Sequence, residues 1–331
     1  MARLRRWQIG EFRLRAARLN GQPPCQEIGL DEAVRAVKEP GPPVWVDIVT
    51  EDTPETRTLL TERMGLDELA VEDALSDRER PTLQEFDGMA FLVVPAAVGN
   101  GGTERFVEVG FFLNDHAMVT VSREDVPVLD GWFERWVARP GSLAKSPSYI
   151  LHAVVDAIVD DYFVVIDDIE DQVEDLGDTL FAGREGRLPE IVRLKRRLMK
   201  MRRAIAPVRD VLNALLRRDL DIIPDESRRH FQDVLDHALR IGEMVDALRD
   251  SLTSMVDIHL SNVSNNLNVV LKKMTVLSTV LMTMALVSGI YGMNFAHMPE
   301  LHWRYGYPFA LGLMFLLGGL VLVVFKRIRW I

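Results

Sequence analysis

The fold of this chain is decided by an uncharged stretch near its C-terminus, which reads MTVLSTVLMTMALVSGIYGMNF over residues 274–295. A helix of this length, rising about 1.5 Å per residue, crosses the roughly 30 Å of hydrocarbon in a bilayer. A second uncharged stretch, YGYPFALGLMFLLGGLVLVVF, occupies residues 305–325. We predict two membrane spans, residues 274–295 and 307–325. The alternative, a pair of buried core helices, explains their basic and aromatic flanks less well.

The charges around the spans predict their orientation. Two lysines precede the first span and a basic tail, residues 326–331, follows the second, whereas the connecting loop, residues 296–306, holds a single arginine. By the positive-inside rule, both termini are cytoplasmic and the chain is a multi-pass protein of the cell (inner) membrane. The N-terminal arginines are not followed by an apolar region, so no cleaved signal peptide is expected.

Residues 1–145 have the pattern of an α/β domain, because β-branched and aromatic runs alternate with turn residues and helical spacing. Helices are predicted at Pro54–Met64 and Asp67–Leu75, between the first two strands. The predicted strands are Val44–Ile48, Met89–Val94, Arg105–Phe112 and Ala117–Val121.

The composition excludes several classes of protein. The 331 residues carry a net charge of -10, and the pI is near 5.3, which argues against nucleic acid as a partner. A single cysteine, Cys25, cannot form an intrachain disulfide, so the bulk of the chain is expected in a reducing compartment. Residues 1–145 have no Gly-rich phosphate loop, zinc-ligand cluster or nucleophile elbow. We therefore expect neither an enzyme nor a nucleotide-binding protein.

Residues 146–223 read as long helices with uneven charge. Acidic side chains crowd between Asp156 and Asp178, whereas basic ones dominate from Arg184 to Arg218. The pattern predicts an antiparallel helical hairpin with an acidic and a basic arm. Two solvated helix faces with no role beyond solubility remain an alternative.

A single helix is expected to run from the cytosolic stalk, residues 224–273, directly into the first span, because no proline occurs between Pro224 and Pro299. One face of this helix, with steps of 3 and 4 residues, is mostly polar or small, and we call it the polar stripe. The polar stripe consists of Ser254, Asp257, Ser261, Ser264, Asn268, Leu271, Thr275, Ser278, Met282, Ala285, Gly289 and Gly292.

A polar stripe that continues through a span indicates several copies around a hydrated axis, with Leu271 and Met282 as apolar constrictions. The alternative, tight packing against a partner helix through small residues, explains Gly289 but explains Asp257 and Asn268 poorly. Since two spans cannot enclose a water-filled path, a pore requires a symmetric homo-oligomer.

The first span ends in Gly292-Met293-Asn294, followed by Met-Pro-Glu-Leu in the loop and Gly-Tyr-Pro before the second span. In these motifs and in its basic tail, the chain resembles the CorA family of divalent-cation channels, from about Val44 to the end. The resemblance implies a homopentameric magnesium channel, shaped as a funnel: an α/β cytosolic domain, long helices and two C-terminal transmembrane helices.

The resemblance also implies which residues line the path and bind the ion. The selectivity filter would be Gly292, Met293 and Asn294. Family members often have a proline at Thr283 and a threonine at Ala285, which puts a kink and one polar ring in doubt. The pore-lining positions are Asp257, Ser264, Asn268, Leu271, Thr275, Ser278, Met282, Ala285 and Gly289.

Regulatory Mg2+ is expected between neighbouring cytosolic domains, at positions that match Glu72, Asp73, Asp156 and Asp233. Carboxylates are hard oxygen ligands that suit Mg2+, although each of these, without the family, would be an ordinary surface acid. The expected function is passive uptake of Mg2+, and also of cobalt or nickel, gated by cytosolic Mg2+. A zinc or proton-coupled transporter on the same scaffold is the main alternative, and a membrane-anchored sensor without ion flux is a third.

Overall fold

The computed structural model describes residues 7–9, 12–20, 25–76, 83–86, 88–99, 101–181, 188–217, 222–294, 298–328 and 330. The chain forms two compact units. The first contains Met1–Thr179 and Arg187–Thr253, and the second contains Leu180–Gly186 and Ser254–Ile331.

The α/β part of the first unit alternates short strands and helices. Its first half contains β1 (Trp7–Ile9), β2 (Phe12–Arg18), β3 (Gln26–Glu27), α1 (Leu30–Lys38), β4 (Val44–Val49), α2 (Pro54–Thr58), a π-helical turn (Leu59–Arg63) and α3 (Glu68–Leu75). Its second half contains β5 (Leu83–Phe86), β6 (Met89–Val98), β7 (Arg105–Leu113), β8 (Ala117–Ser122), α4 (Pro127–Ala138) and a 3-10 turn (Gly141–Lys145).

Four long helices complete the chain. They are α5 (Pro147–Phe181), α6 (Leu188–Arg217), α7 (Asp225–Tyr291) and α8 (Gly306–Arg327), with a 3-10 turn at Pro299–His302 before α8. The 67-residue α7 confirms the expectation of one unbroken helix that ends in the apolar stretch.

The described strands form one sheet in the order β1-β2-β4-β8-β7-β6-β5, and β3 also pairs with β2. Neighbouring strands are antiparallel except β4 and β8, which are parallel, with Val46 opposite Val119. All four strands expected from the sequence are present, each one to four residues longer than its apolar run.

The two faces of the sheet carry different layers, because successive side chains of a strand point to opposite sides. Val44, Val46 and Ile48 belong to the core cluster that includes residues of α1 and α3. Trp45, on the other face, packs against Phe133 of α4 with ring centroids 5.2 Å apart. The α/β fold class is therefore confirmed as a sheet covered on both faces.

A glycine fixes the position of α3, which carries Glu72 and Asp73. A Cβ added to Gly110 of β7 would lie 2.9 Å from the Ala74 Cβ and 3.3 Å from a ring carbon of Phe91. Only a residue without a side chain allows α3 to approach the strand so closely.

One expected helix differs in its geometry. The segment Pro54–Met64 is α-helical only to Thr58, and the next turn is π-helical, with the Met64 N–H donating to the Leu59 carbonyl at 2.9 Å. The wider turn allows the consecutive residues Leu59 and Leu60 both to be buried.

The acidic and basic stretches form α5 and α6, which are antiparallel. Arg197 of α6 contacts Asp168 of α5, with an Nη2 to Oδ2 distance of 2.6 Å, and the earlier Arg193 donates to the later Gln172 at 3.3 Å. Arg197 is buried and also pairs with Glu104 at 2.7 Å. The charge asymmetry thus contributes a specific contact between these helices. The exposed acidic side chains of the arm are Asp160, Asp167, Asp171, Glu174, Asp175 and Asp178.

Helix α7 runs parallel to α5 and antiparallel to α6 within the first unit. The rings of His152 and His230 have centroids 5.1 Å apart, and further along both helices Phe163 contacts His237 at 5.8 Å. On the other side, Arg202 pairs with Asp246 at 3.3 Å. Helices α5 and α6 therefore hold the N-terminal part of α7 in a three-helix bundle.

Candidate pore and metal sites

Every member of the polar stripe is exposed on the surface of α7. The two apolar members expected to form constrictions are among them, with Leu271 62% and Met282 71% exposed. In the most apolar 18-residue stretch of α7, only 11% of the residues are buried, and the same holds for α8. A core helix of a soluble domain would be mostly buried, so neither helix is of that kind. These two helices are the candidate membrane spans.

Helix α8 packs on a different face of α7. Val276 and Val287 are buried, and Gly318 of α8 lies against Met284 and Val280. Along the sequence, the α7 residues that face α8 lie about two positions from the nearest members of the polar stripe. Each residue turns an α-helix by about 100°, so the polar stripe lies roughly 200° around α7 from the face that α8 covers. Within one chain, the second span therefore leaves the polar stripe open.

The hydroxyl groups of three threonines on α7 donate hydrogen bonds to backbone carbonyls of the same helix. The Thr275 hydroxyl donates to the Leu271 carbonyl at 2.8 Å, and Thr279 and Thr283 donate in the same way to the carbonyls four residues earlier. Each hydroxyl oxygen keeps acceptor capacity. Thr275, the threonine on the polar stripe, can thus accept a hydrogen bond from water without leaving a donor unpaired in an apolar environment.

The Gly292-Met293-Asn294 segment directly follows α7, which ends at Tyr291. The Gly292 N–H donates to the Ser288 carbonyl at 2.9 Å, and the Met293 N–H donates to the Ile290 carbonyl at 3.3 Å. A Cβ on Gly292 would lie 3.2 Å from the Ser288 carbonyl oxygen, so the turn favours glycine. Asn294 is exposed. Its side-chain amide makes no hydrogen bond to the described residues.

Aromatic side chains surround the start and the end of α8. The rings of Trp303 and Phe309 have centroids 5.7 Å apart, and Trp330 packs on Phe325 at 5.5 Å. Aromatic rings at both ends of an apolar helix are typical of residues at the two membrane interfaces.

The first unit brings three candidate metal ligands together. One ligand atom from each of Asp156, Asp160 and His237 lies within 4.8 Å of the others. Asp156 and Asp160 are one helical turn apart on α5, and the parallel α7 supplies His237. Two carboxylates and an imidazole can bind a divalent cation, and the imidazole favours transition metals more than Mg2+.

Burial raises the pKa of the Asp156 carboxyl above its usual value, and the negative charges of Asp160 and Asp233 raise it further. His237 and His230 act in the opposite direction. The surroundings of Asp156 thus disfavour its ionised form, and a bound cation would stabilise that form.

The structure places the four expected regulatory carboxylates in two groups. Asp156 belongs to the three-residue cluster, and Asp233 is exposed on α7 near enough to affect the pKa of Asp156. Glu72 and Asp73 lie on α3, where Asp73 accepts a hydrogen bond from Gln84 at 3.0 Å. Among the described residues of one chain, no three-ligand cluster joins the two groups.

Asp160 and His237 were not among the residues expected from the sequence. Both lie four positions after an expected ligand, Asp160 after Asp156 and His237 after Asp233. Residues four positions apart share one face of a helix. This spacing was the signal in the sequence that could have identified Asp160 and His237 as further candidate ligands.

Comparison with known proteins identifies the family. The family model described as "CorA-like Mg2+ transporter protein" matches residues 42–327. The cobalt/magnesium transport protein CorA of Thermotoga maritima is 31% identical over 91% of this chain and 87% of its own length. The putative metal ion transporter YfjQ of Bacillus subtilis is 34% identical over 86% of this chain and 89% of its own length.

A solved structure agrees with the fold. The complete CorA magnesium transporter of Methanocaldococcus jannaschii superposes with a TM-score of 0.83 at 22% identity, covering 96% of this chain and 98% of that one. With two apolar C-terminal helices and a matching α/β domain, the chain belongs to the CorA-like Mg2+ transporter family of membrane proteins.

Proposed function

We propose that copies of this chain surround a hydrated axis with the polar stripe of α7 and conduct Mg2+ passively into the cell. The observation that supports this most directly is the position of α8, which packs on the face of α7 opposite the stripe. Exposed polar groups inside a bilayer are costly unless they face water or a partner. The family resemblance implies five copies, and a closed symmetric ring supplies the partner.

The ion entrance is formed by Gly292, Met293 and Asn294. A ring of uncharged amides and carbonyls can hydrogen-bond the water shell of a hydrated cation. Mg2+ dehydrates reluctantly and keeps several waters in most of its sites, so a filter that binds the hydrated ion suits it. The Asn294 amide is exposed and makes no hydrogen bond to a described residue, which is consistent with this role.

The conduction path is closed by Leu271 and Met282. Both are exposed in one chain and stand among polar or small neighbours on the stripe. Apolar rings of this kind stop ions by dewetting when the helices lie close together. The polar members Asp257, Asn268 and Thr275 keep the rest of the path hydrated.

The membrane potential supplies the driving force. With the inside negative, each positive charge gains about 2.3 kcal/mol per 100 mV, and a divalent ion gains roughly 4.6 kcal/mol. Uptake therefore needs no coupled hydrolysis. Cobalt and nickel are further candidate ions, because carboxylates and amides do not exclude them.

Cytosolic Mg2+ is proposed to hold the closed state. Carboxylates of neighbouring subunits, Asp73 on one and Asp233 on the next, would repel each other when no cation is bound. A cation that binds the closed ring more tightly than the open ring increases the fraction of closed rings. The size of this shift is set by the difference between the two affinities. The Asp156 cluster would contribute to the same control within each chain.

The proposal is tested by Mg2+ flux into vesicles that contain the purified protein under an inside-negative potential. We expect uptake by the wild type, and a sharp decrease in Asn294→Ala. The control Asn266→Ala changes an exposed amide on α7 outside the polar stripe and should leave flux unchanged. Normal flux in a folded Asn294→Ala protein would refute the assignment of the entrance.

The same vesicles distinguish the main alternative. A passive channel conducts Mg2+ equally with and without a proton gradient at a fixed potential. Uptake that requires the gradient, or that is specific for Zn2+, would instead indicate a zinc or proton-coupled transporter.

A further inference from the structure

A pocket of about 330 Å3 opens in the first unit, between α4, the turn at Gly141–Lys145 and the first turns of α5. Its lining combines long cations with aromatic rings and one carboxylate, Asp156. The cations are Arg135, Arg139 and Lys145, and the rings include Trp132, Tyr149 and His152.

The three cations are exposed and form no ion pair with a carboxylate in the part of the chain that the structure describes. Two of them lie over rings instead. The guanidinium carbon of Arg135 is 4.6 Å from the centroid of the Trp132 ring, and the Lys145 ammonium is 5.0 Å from that of Tyr149. Contacts with ring faces orient the charges without neutralising them, so the charges remain available to an anion.

The residues that α5 adds to the lining beyond Tyr149 have a different character. Burial and the nearby charge of His230 lower the pKa of His152, which favours the neutral imidazole, a form able to donate one hydrogen bond. Asp156 lines the same pocket and would repel a bare anion. The lining therefore suits a ligand that carries both negative oxygens and a cation.

We propose that this pocket binds a polyphosphate group together with the Mg2+ that it chelates. The phosphate oxygens would contact Arg135, Arg139 and Lys145, and the metal would lie toward Asp156. Guanidinium groups match pairs of phosphate oxygens in their geometry. The volume is at the lower end of ligand pockets, which fits a di- or triphosphate group. The chain would thereby respond to phosphate-bound Mg2+ as well as to the free ion.

The test is isothermal titration calorimetry of the full-length protein in detergent. The probes are Mg2+ alone, tripolyphosphate with and without Mg2+, and ATP with Mg2+. We expect the wild type to bind tripolyphosphate more tightly when Mg2+ is present. Arg135→Gln combined with Arg139→Gln should weaken this binding at least about ten-fold, because two charge-assisted contacts are lost.

Arg196→Gln combined with Lys200→Gln is the matched control, since it removes two exposed cations of α6 outside the pocket. This control should bind tripolyphosphate as the wild type does, and both double variants should keep the wild-type melting temperature. Equal affinity for tripolyphosphate and ATP would identify the phosphate chain as the recognised group. Tighter binding of ATP would support the proposal and add contacts to the nucleoside.

No binding of any phosphate probe, or equal losses in both double variants, would overturn the proposal. The inference rests on the proposed function only for the role of Asp156, which sets the dependence on Mg2+. Because the titration measures no transport, absence of polyphosphate binding would leave the proposed channel standing. A protein that binds polyphosphate but conducts no Mg2+ would contradict the channel alone.

Discussion

Met284 of α7 lies against Gly318 of α8, where a Cβ added to the glycine would be 3.2 Å from the methionine Cε. This contact places α8 on the face of α7 that carries the buried Val276 and Val287. The polar stripe lies on the other side of α7, because two residues correspond to about 200° of helical rotation. A single chain thus packs its own spans together and still leaves the proposed conduction face uncovered.

Gly318→Val should separate the two spans. The added methyl groups meet Met284 and Val280, and overpacking of this kind costs about 1–3 kcal/mol. We expect a lower melting temperature for the detergent-solubilised protein, followed by circular dichroism. In the control Gly319→Val, the new side chain extends into open space and should change the melting temperature little. Equal melting temperatures for the two variants would contradict the packing of α8.

Leu271→Ser should make the channel leak at high internal Mg2+, because a hydroxyl keeps the constriction wet when the helices are close. Flux into vesicles loaded with millimolar Mg2+ measures the leak. Val269→Ser changes an exposed residue about 200° around α7 from Leu271 and is the matched control. If Leu271→Ser remains closed, the constriction lies elsewhere on the stripe.

Asp156→Asn should stabilise the metal-free protein at neutral pH and reduce the stabilisation produced by Mg2+. The folded protein raises the pKa of this carboxyl above its unfolded value, so its ionisation opposes folding as pH rises through the folded pKa. The difference between variant and wild type should therefore vanish at a pH below both values. Melting temperatures measured with and without Mg2+ across this range check both signs. A destabilised, metal-free Asp156→Asn protein at pH 7 would be inconsistent with the site.

Asp73→Ala combined with Asp233→Ala should weaken the protection of the first unit from protease by Mg2+. It should also raise flux at millimolar internal Mg2+, since the carboxylates that would bind the closing cation are removed. Glu68→Ala combined with Asp236→Ala removes exposed carboxylates from the same two helices and serves as the control. Should the first double variant keep full protection and inhibition, control by Mg2+ would have to reside elsewhere, with the acidic arm of α5 as the next candidate.

Much of the fold could be predicted because its signals are local. Uncharged stretches marked both spans, and the absence of proline marked the continuous α7. The strand β2 was missed because its sequence, FRLRAAR, alternates basic and apolar residues as an exposed segment would. Arg15 is instead buried, since its Nε donates to Asp47 at 2.8 Å and its guanidinium lies 4.3 Å from the Phe133 ring centroid. These partners come from distant parts of the chain, which periodicity cannot identify.

The candidate sites also divide into one that local sequence shows and one that depends on contacts between distant parts of the chain. The polar stripe could be read from spacing alone, because it lies on one helix. The cluster of Asp156, Asp160 and His237 depends on α5 and α7 lying side by side in a particular register. That register is set by packing, such as the contact between His152 and Phe231 at 5.5 Å, and not by either helix alone.

The central claim, that the polar stripe lines a water-filled path, is tested most directly by a single cysteine at Ser278 in a Cys25→Ala background. Mg2+ flux is measured before and after a membrane-impermeant, positively charged thiol reagent is added. The control Leu277→Cys is also exposed in one chain, at 55%, but lies about 100° away around α7. The account predicts that the reagent blocks flux through Ser278→Cys and leaves Leu277→Cys conducting. Block of Leu277→Cys with Ser278→Cys unaffected would contradict it.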